Sequence, residues 1–410
     1  MAALQDFLSL FVRWAHVVAA ISWIGSSFYF MGLDASLKRR ANMPDGVKGD
    51  NWTVHGGGFY HIRKYTVAPD QMPEDLHWFK WESYATWMTG AALLAVVYYW
   101  NASLYLLAPD KADLAPWQGI ALSAGGLVAA WFVYDGLCRS PLARAPAVLF
   151  GLLFVLITAS AWAYGLVFSG QAAFLQTGAM IATMMAANVF LVIIPNQKIV
   201  VADLVAGRVP DAKYGAIAKL RSSHNNYLTL PVIFLMLSNH YPATFGHAHA
   251  FIIVAIALFL GAIVRHWFNT FETGATGIRI AWQWPAALAL AVGMALFATL
   301  PQFKNPTLTA APADTDGTAP GGGERGLNTA LDAAAFGIVS ARCAPCHAAA
   351  PTFAAIAAPP GGVMLDTPER MRTHAAQIIA QSVDTHVMPL GNVTQITDDE
   401  RAALAAWAGR

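Results

Sequence analysis

The chain has little charge: Asp, Glu, Lys and Arg make up 12% of its 410 residues, against about 25% in typical soluble domains. This shortage, with an apolar share of 56%, excludes a soluble globular enzyme for most of the length. Charge of one sign is also lacking, because 25 basic and 24 acidic side chains leave a net charge of +1. We therefore expect no nucleic-acid partner. Three cysteines are too few for a disulfide scaffold.

Long apolar runs, by contrast, are frequent. A helix needs about 20 apolar residues to cross about 30 Å of hydrocarbon, and eight runs come near that length. The runs are Phe7–Gly32, Ser83–Leu107, Trp117–Cys138, Pro146–Phe168, Ala172–Pro195, His224–Tyr241, His247–Phe268 and Ile280–Leu300. The first is too long for a cleavable signal peptide, and the sixth is short and contains Pro231. The pattern predicts an all-α fold, a polytopic membrane helical bundle of about eight spans over residues 1–300.

Lysine and arginine are distributed unequally between the loops. The loops after the odd-numbered runs carry 15 of them, and the loops after the even-numbered runs carry 1. Because positively charged loops stay in the cytoplasm, the odd loops are predicted to be cytoplasmic and both chain termini periplasmic. The predicted location is the inner membrane of a bacterium.

After the last run the composition changes. Residues 301–326 are rich in Pro and Gly and predict a flexible linker, and residues 327–410 predict a small helical domain. This domain contains Cys343-Ala344-Pro345-Cys346-His347. The spacing indicates one covalent haem c, with thioethers to Cys343 and Cys346 and with His347 as an axial ligand of the iron. Such haem is attached on the periplasmic side, in agreement with the charge count.

The sixth iron ligand is predicted to be Met388, which is followed by Pro389. Met364 leaves little chain to cross the haem, and His386 is a further alternative; a His and Met pair is usual for this class. Thr397-Asp398-Asp399-Glu400 forms a capping box for a last helix that ends near Trp407. Together these features resemble a class I cytochrome c.

Ionisable residues inside the predicted spans suggest function, because they are costly in a bilayer. His16, beside Arg13, and His266 are candidate ligands of an additional haem b. The alternative for a histidine near a span end is an interfacial residue bonded to a loop. The loop Leu33–Glu82 contains three successive glycines, Gly56 to Gly58, which allow close approach of a ligand or another element. Its aromatics predict either a pocket for a flat polar molecule or an aromatic belt.

Several motifs carry a resemblance to a known family over nearly the whole chain. They are Trp14-Ala-His-Val-Val-Ala-Ala-Ile-Ser-Trp-Ile-Gly25, His55-Gly-Gly-Gly-Phe-Tyr60, Leu76-His-Trp-Phe-Lys-Trp-Glu82, Ile194-Pro-Asn-Gln197, His224-Asn-Asn-Tyr-Leu-Thr-Leu-Pro231 and the Cys343–His347 motif. The chain resembles the membrane-bound cytochrome-c urate oxidases, also called urate hydroxylases. The resemblance implies eight spans with a cytochrome c tail and oxidation of urate to 5-hydroxyisourate. It also implies that electrons go to a soluble cytochrome c or a terminal oxidase rather than directly to dioxygen.

The resemblance also suggests which residues bind and deprotonate urate. The candidates for catalysis are His77, Lys80, Glu82 and His224, with Arg13 and His16 as further pocket residues. Basic groups would stabilise anionic urate, and a His or Glu would act as the base. Two alternatives come from other classes: a module that passes electrons from quinol to cytochrome c, and an anchor that only holds a cytochrome. Eight spans with buried Arg13 and His16 argue against the anchor.

Overall fold

In the computed structural model, the described residues are 2–66, 73–108, 111–303 and 329–409, apart from 355, 357, 358, 361 and 362. Most of the linker predicted at 301–326 therefore lies outside the described residues.

The described part of the chain is mostly helical. The helices up to residue 303 are α1 (Ala2–Ser36), α2 (Trp81–Leu94), α3 (Ala102–Tyr105), α4 (Pro116–Arg139), α5 (Pro146–Gly165), α6 (Gly170–Ala187), α7 (Ile194–Val205), α8 (Ala212–Leu237), α9 (Pro242–Phe245), α10 (Ala250–Glu272), α11 (Ile278–Ala281) and α12 (Gln283–Phe303). Two π-helical segments continue helices: Ala95–Tyr99 extends α2, and Asn188–Ile193 joins α6 to α7. Short 3-10 helices cover Pro141–Arg144 and Ser238–His240.

Six helical segments of the described chain are long and apolar enough to cross a membrane. They are Phe7–Ser36, Pro116–Arg139, Pro146–Gly165, Gly170–Val205, Ala250–Glu272 and Ile278–Thr299. α2 and α8 cover the second and sixth predicted runs, but neither of them is among the six helices that are both long and apolar enough to cross a membrane. The helix of the second run breaks at Asn101, and α8 carries Arg221, His224 and two asparagines. The count of eight spans stays a prediction.

The sixth run has bounds that differ from the prediction. α8 begins at Ala212, well before His224, because the Asp211 side chain accepts a hydrogen bond from the backbone N–H of Lys213 and caps the helix. Pro231 lies inside the helix rather than at its end. Gly261 of α10 makes room for this proline, since a Cβ at Gly261 would lie 2.5 Å from its Cδ.

The helices pack around α6, which contacts α4, α5 and α8, while α10 contacts α5, α8 and α12. The shared core holds fully buried side chains from several helices, among them Ile157, Met180, Met184 and Ile253. α1 packs along α2, but its other face carries exposed aromatics such as Phe7 and Trp14. An apolar outer face is what a bilayer-embedded helix requires.

The long loop after α1 contains an element that corrects the all-α expectation. Strands β1 (Val47–His55) and β2 (Gly58–Tyr65) form an antiparallel hairpin. Gly56 and Gly57 form its two-residue turn with φ of 59° and 79°, which most other residues adopt only with strain. Nothing lies within 4 Å of a Cβ built on either glycine. The glycine run therefore serves the turn, and no other element within the described residues approaches it.

The hairpin is attached to the end of α1. A backbone bridge joins Lys38 to Asp50, and the buried Asp50 accepts hydrogen bonds from Arg40 Nε and His61 Nε2, each at 2.8 Å. The pKa of Asp50 is lowered by the hydrogen bond from His61 and by that from Arg40. His61 also stacks on Trp52, with ring centroids 4.2 Å apart. This histidine therefore has a structural role in the hairpin.

The tail is a second helical unit. Its helices are α13 (Thr329–Arg342), α14 (Pro368–Thr373), α15 (Ala375–Ile379), followed by a π-helical segment Ala380–Asp384, and α16 (Asp398–Trp407). The predicted capping box is confirmed: Thr397 Oγ1 accepts from the Glu400 N–H, and Glu400 Oε2 accepts from the Thr397 N–H. Val339, Met371, Ile379 and Leu404 are fully buried in the core of the tail.

One loop of the tail contacts the helical bundle. Gly391 follows Met388, Pro389 and Leu390 and lies against the carboxyl end of α3. A Cβ at Gly391 would lie 3.0 Å from the carbonyl oxygen of Leu104 and 3.1 Å from that of Leu107. Val387 packs against the core of the bundle. The loop that carries Met388 is therefore the part of the tail that meets α3.

Replacing Gly391 with alanine tests this contact. Both Gly391 and Gly409 have positive φ, 59° and 77°, so alanine is strained at either position. Nothing lies within 4 Å of a Cβ at Gly409, which makes Gly409→Ala the matched control. We expect faster amide hydrogen exchange in peptides covering residues 102–107 for Gly391→Ala alone. Equal exchange in the two variants would show that the loop does not rest on α3.

Candidate functional site

The Cys343–His347 motif forms one tight turn at the end of α13. The backbone N–H groups of Cys346 and His347 both donate to the carbonyl oxygen of Cys343, so the three side chains lie within one turn. Cys343 is buried, Cys346 is half-buried, and both thiols are free. Burial raises the pKa of Cys343 to about 11 and also raises that of Cys346. Both groups are therefore neutral thiols near neutral pH.

His347 is held in one orientation. Its Nδ1 lies 3.1 Å from the carbonyl oxygen of Val363, and a carbonyl only accepts, so Nδ1 carries the proton. Nε2 is then the nitrogen with a free lone pair, as an iron or other metal ligand requires. The backbone N–H of Leu365 also donates to the His347 carbonyl, at 2.6 Å. The segment around residues 363–365 thus fixes both the ring and the backbone of this histidine.

Met388, the predicted sixth ligand, lies in the loop before α16. Its N–H donates to the carbonyl oxygen of Gln381, and its own carbonyl accepts from Arg401 Nη1 at 3.1 Å. Arg401 is 6% exposed and also donates to the carbonyl of Ser382. This arginine fastens the loop to the last helix. Met364 lies directly before Leu365 and is half-buried, and His386 is exposed with φ of 53°.

The assignment of Met388 predicts a spectroscopic difference between two methionine variants. Loss of a thioether ligand lowers the reduction potential of a c-type haem, so Met388→Ala should lower it and abolish the weak Met-to-iron charge-transfer band. Met364→Ala is the matched control and should keep both properties. Potentiometric titration of the purified protein measures the effect. If Met364→Ala alone lost the band and lowered the potential, the sixth iron ligand would be Met364 instead.

A second group of polar residues lies inside the helical bundle, between α4, the π-helical segment after α6, and α8. Arg221 is 2% exposed, and its Nη2 lies 2.5 Å from Asp135 Oδ1. Its Nη1 donates to Asn188 Oδ1 at 3.3 Å, and its guanidinium carbon lies 4.9 Å from the ring centroid of Tyr134. The arginine is thus surrounded by a carboxylate, an amide and an aromatic face.

His224, one of the predicted catalytic residues, belongs to this group. Asn188 Nδ2 donates to the Tyr134 hydroxyl at 2.8 Å, which leaves that hydroxyl to donate to His224 Nδ1 at 2.9 Å. Asn188 Nδ2 also donates to Asn225 Oδ1, and Cys138 Sγ lies 3.8 Å from His224 Nδ1. The Nδ1 atom of His224 is therefore occupied by a protein partner.

Breaking the Arg221–Asp135 pair should be costly. Asp135→Asn leaves a buried guanidinium without its carboxylate, and such a change costs about 3–5 kcal/mol of unfolding free energy. Asp135 has a second partner, Arg139, whose side chain is 72% exposed. Arg139→Gln is the matched control and should cost less than about 1 kcal/mol. Thermal unfolding in detergent compares the two, and similar losses would show that burial of Arg221 does not govern this site.

The predicted residues His77, Lys80 and Glu82 lie at the start of α2. His77 packs edge-on against Phe79, and Lys80 Nζ lies 5.6 Å from the ring centroid of Trp81. Glu82 Oε2 is buried and has no hydrogen-bond partner among the described residues. A buried carboxylate oxygen without a hydrogen-bond partner is unusual, so Glu82 is the most informative of the three. In the described part of the chain, no hydrogen bond, ion pair or ring contact joins these residues to His224.

His16 lies between α1 and α2. Its Nδ1 lies 3.0 Å from the carbonyl oxygen of Thr86 and therefore carries the proton, which leaves Nε2 as an acceptor or ligand. The ring rests on Gly90, where a Cβ would lie 2.9 Å from His16 Cε1. His266 has other neighbours: its Nδ1 is 2.9 Å from the Tyr227 hydroxyl. Within the described residues, no group of three or more His, Cys, Asp or Glu is arranged to hold a metal ion.

Two buried arginines are not among the predicted site residues. Arg221 falls in the basic loop before the sixth predicted run, and Arg265 lies near the end of the seventh. Arg265 is 3% exposed, and its Nε donates to Asn226 Oδ1. The signal was present in His224-Asn225-Asn226, because two adjacent amides in an apolar helix need partners on two neighbouring helices.

Apolar helices of membrane length, with charged groups buried between them, indicate a membrane protein. Its tail brings two free thiols and an oriented imidazole together within one turn. Residues 2–299 match the model of the family described as urate oxidase N-terminal. The chain belongs to this family. Comparisons with curated proteins and with solved structures found no match.

Proposed function

We propose that this protein oxidises urate to 5-hydroxyisourate and passes the electrons through a haem c in its tail to a soluble cytochrome c or a terminal oxidase. Membership of the urate oxidase N-terminal family is the observation that carries the proposal, and it supports an oxidoreductase that acts on urate. The overall reaction consumes urate and water and yields 5-hydroxyisourate, two electrons and two protons.

The tail supports the redox part of the proposal. The thiols of Cys343 and Cys346 are free and lie within one turn of His347. The hydrogen bond from His347 Nδ1 to Val363 leaves Nε2 for iron. A haem c held by His347 and Met388 would supply one-electron acceptance at a raised potential. Urate must therefore lose its electrons in two single steps, with reoxidation of the tail between them.

The remaining residues of the chain bind urate and remove its protons. Urate is an anion at neutral pH, so a buried cation lowers the free energy of the bound state. Glu82, with its unpartnered Oε2, is the candidate base, and His77 and Lys80 lie beside it in the chain. His224, the other predicted base, accepts from the Tyr134 hydroxyl at Nδ1, so its role would be to donate a proton from Nε2. His16 and His266 stay predicted ligands of an additional haem b.

The bacterial inner membrane, with a periplasmic tail, is part of the same proposal. The six apolar segments support a membrane location. The basic loops after the odd-numbered runs support a cytoplasmic location for the end of the helical bundle that carries the β-hairpin. The contact between Gly391 and the end of α3 supports the tail on the opposite side, because α3 follows the second run.

One observation favours a different electron donor, a membrane quinol. A cavity of about 270 Å³ lies between α5, α8 and α10 and is lined mainly by apolar side chains, including Phe150, Phe154 and Phe259. Tyr227 also lines it and is hydrogen-bonded to His266 outside the lining, so the cavity wall carries one polar side chain. An apolar slot with a polar end suits a quinone as well as a lipid chain.

An assay with membranes that contain this protein tests the proposal. Anaerobic addition of urate and oxidised cytochrome c should bleach the urate absorbance and reduce two cytochromes per urate, without formation of hydrogen peroxide. His347→Ala should abolish the activity because it removes an iron ligand. His374 of the same tail is half-buried, and its Nδ1 contacts only the side chain of Gln377 among the hydrogen bonds of the described residues. The control His374→Ala should therefore retain the activity. Activity with a quinol and none with urate would refute the proposal in favour of the quinol alternative.

The haem content of the same preparation tests the redox part separately. A pyridine haemochrome spectrum should show one c-type haem per chain, lost in a Cys343→Ala/Cys346→Ala variant. A b-type haem in addition would support His16 and His266 as ligands, and its absence would refute that prediction. A colourless protein would refute electron transfer through the tail.

A further inference from the structure

Arg265 differs from the other buried arginine of the helical bundle. Arg221 forms an ion pair with Asp135, whereas in the described part of the chain Arg265 has no carboxylate at ion-pair distance. It is 3% exposed, its Nε donates to Asn226, and its guanidinium carbon lies 3.8 Å from the ring centroid of Phe28. Glu272, on the same helix and lining the cavity beside Arg265, is the carboxylate that acts on this cation, but it does so without direct contact. A buried cation without a directly paired carboxylate in a membrane-length helix is costly. Such a group is typical of a binding site for an anion.

A cavity adjoins this arginine. Its volume is about 220 Å³, and its lining residues are Phe28, Gly32, Arg265, Phe268, Asn269 and Glu272. The amide of Asn269 is oriented by Asn226, whose Nδ2 donates to Asn269 Oδ1 at 3.1 Å. Asn226 thus holds both the arginine and the second amide. The polar groups of the cavity are fixed by one residue of α8.

Gly32 keeps the cavity open on the side of α1. A Cβ at this position would lie 3.4 Å from the carboxyl carbon of Glu272. Glu272 ends α10 and is exposed, so it stands where the cavity reaches the surface. The cavity therefore has a cation inside and a carboxylate at its mouth.

We propose that this cavity binds the planar purine anion on which the enzyme acts; the inference rests on the proposed function and names its binding site. An oxidised purine presents carbonyl oxygens and N–H groups in alternation around a flat ring. The fork of Arg265 and the Nδ2 of Asn269, whose Oδ1 is held by Asn226, donate to the anionic carbonyl edge. The Glu272 carboxylate accepts from an N–H group. Phe28 and Phe268 provide apolar wall against the ring.

The cavity lies at the hairpin end of the bundle. Phe28 and Gly32 are near the end of α1, and Glu272 is the last residue of α10. The contact between Gly391 and α3 lies at the other end, because α2 runs back from the hairpin side to α3. Binding of the purine can thus be measured apart from electron acceptance by the tail.

The experiment measures equilibrium binding of radiolabelled urate to the full-length protein after reduction with dithionite, when no turnover occurs, together with KM in the cytochrome assay. Arg265→Gln should weaken binding by about ten-fold to a hundred-fold, the usual effect of losing a hydrogen bond to a charged group. Arg265→Lys keeps the charge but not the fork and should give an intermediate loss. Gly32→Leu fills the cavity without removing a polar group and should raise KM at least ten-fold.

Gly293→Leu on α12 is the matched control, because nothing lies within 4 Å of a Cβ there and urate affinity should not change. Loss of the haem spectrum or of cooperative melting in Arg265→Gln would show that this variant fails to fold. In that case the urate affinity of Gly32→Leu tests whether the cavity binds urate. Wild-type affinity in Gly32→Leu or in folded Arg265→Gln would overturn the cavity while leaving urate oxidation intact. A wild-type protein that neither binds nor oxidises urate would overturn the proposed function, and the inference with it.

Discussion

A hydrocarbon bilayer has no water to solvate an ion, so every charge inside the helical bundle needs a partner from the protein or a ligand. This constraint accounts for the arrangement around α8. Arg221 and Asp135 satisfy each other, and Asn188, Tyr134 and His224 complete a connected set of hydrogen bonds. On the neighbouring face of the same helix, Asn226 accepts a hydrogen bond from Arg265 and donates one to Asn269. In the Arg221 cluster the polar groups bond to one another, so the cluster specifies how the helices pack. The Arg265 cluster lines a cavity and has donors left for a ligand.

The same constraint explains where prediction from sequence succeeded and where it failed. Long apolar helices such as α5 and α10 are visible in hydropathy alone, and the capping box at Thr397 is a local pattern that needs no tertiary information. α8 was predicted too short because its polar residues lower the hydropathy of its first half. Those residues are tolerated there because their partners come from α4, α6 and α10, far away in the chain. The hairpin was missed although Gly56-Gly57 between two aromatic, β-branched stretches is a local hairpin signal. The cavity was not predictable, since Phe28 and Arg265 meet only in the folded bundle.

The tail shows how a short motif depends on distant residues for its chemistry. The Cys343–His347 spacing predicts which atoms would hold a haem, but the proton on His347 is placed by the carbonyl of Val363. The loop with Met388 is positioned by Arg401 from the last helix, and Gly391 in the same loop meets α3. A single loop therefore carries the proposed iron ligand and the contact with the bundle. With the proposed haem bound, such an arrangement would hold the iron ligand at a fixed place relative to α3 during successive one-electron steps.

The separation between cavity and tail sets a physical condition on the reaction. Along α1, Phe28 and His16 are twelve residues apart, or about 18 Å of helix. Gln5, which bonds to Val96 and Asn101 near α3, lies a further eleven residues, or about 17 Å, beyond His16. An electron leaving a purine in the cavity would have to cross most of the bilayer thickness of about 30 Å, too far for one tunnelling step. His16 stands midway, with Nδ1 bonded to the Thr86 carbonyl and Nε2 available as a ligand. A one-electron carrier at His16 would divide the distance in two. If the cavity binds urate and no such carrier exists, the electrons cannot reach the tail by this route, so the binding site and the haem content constrain each other.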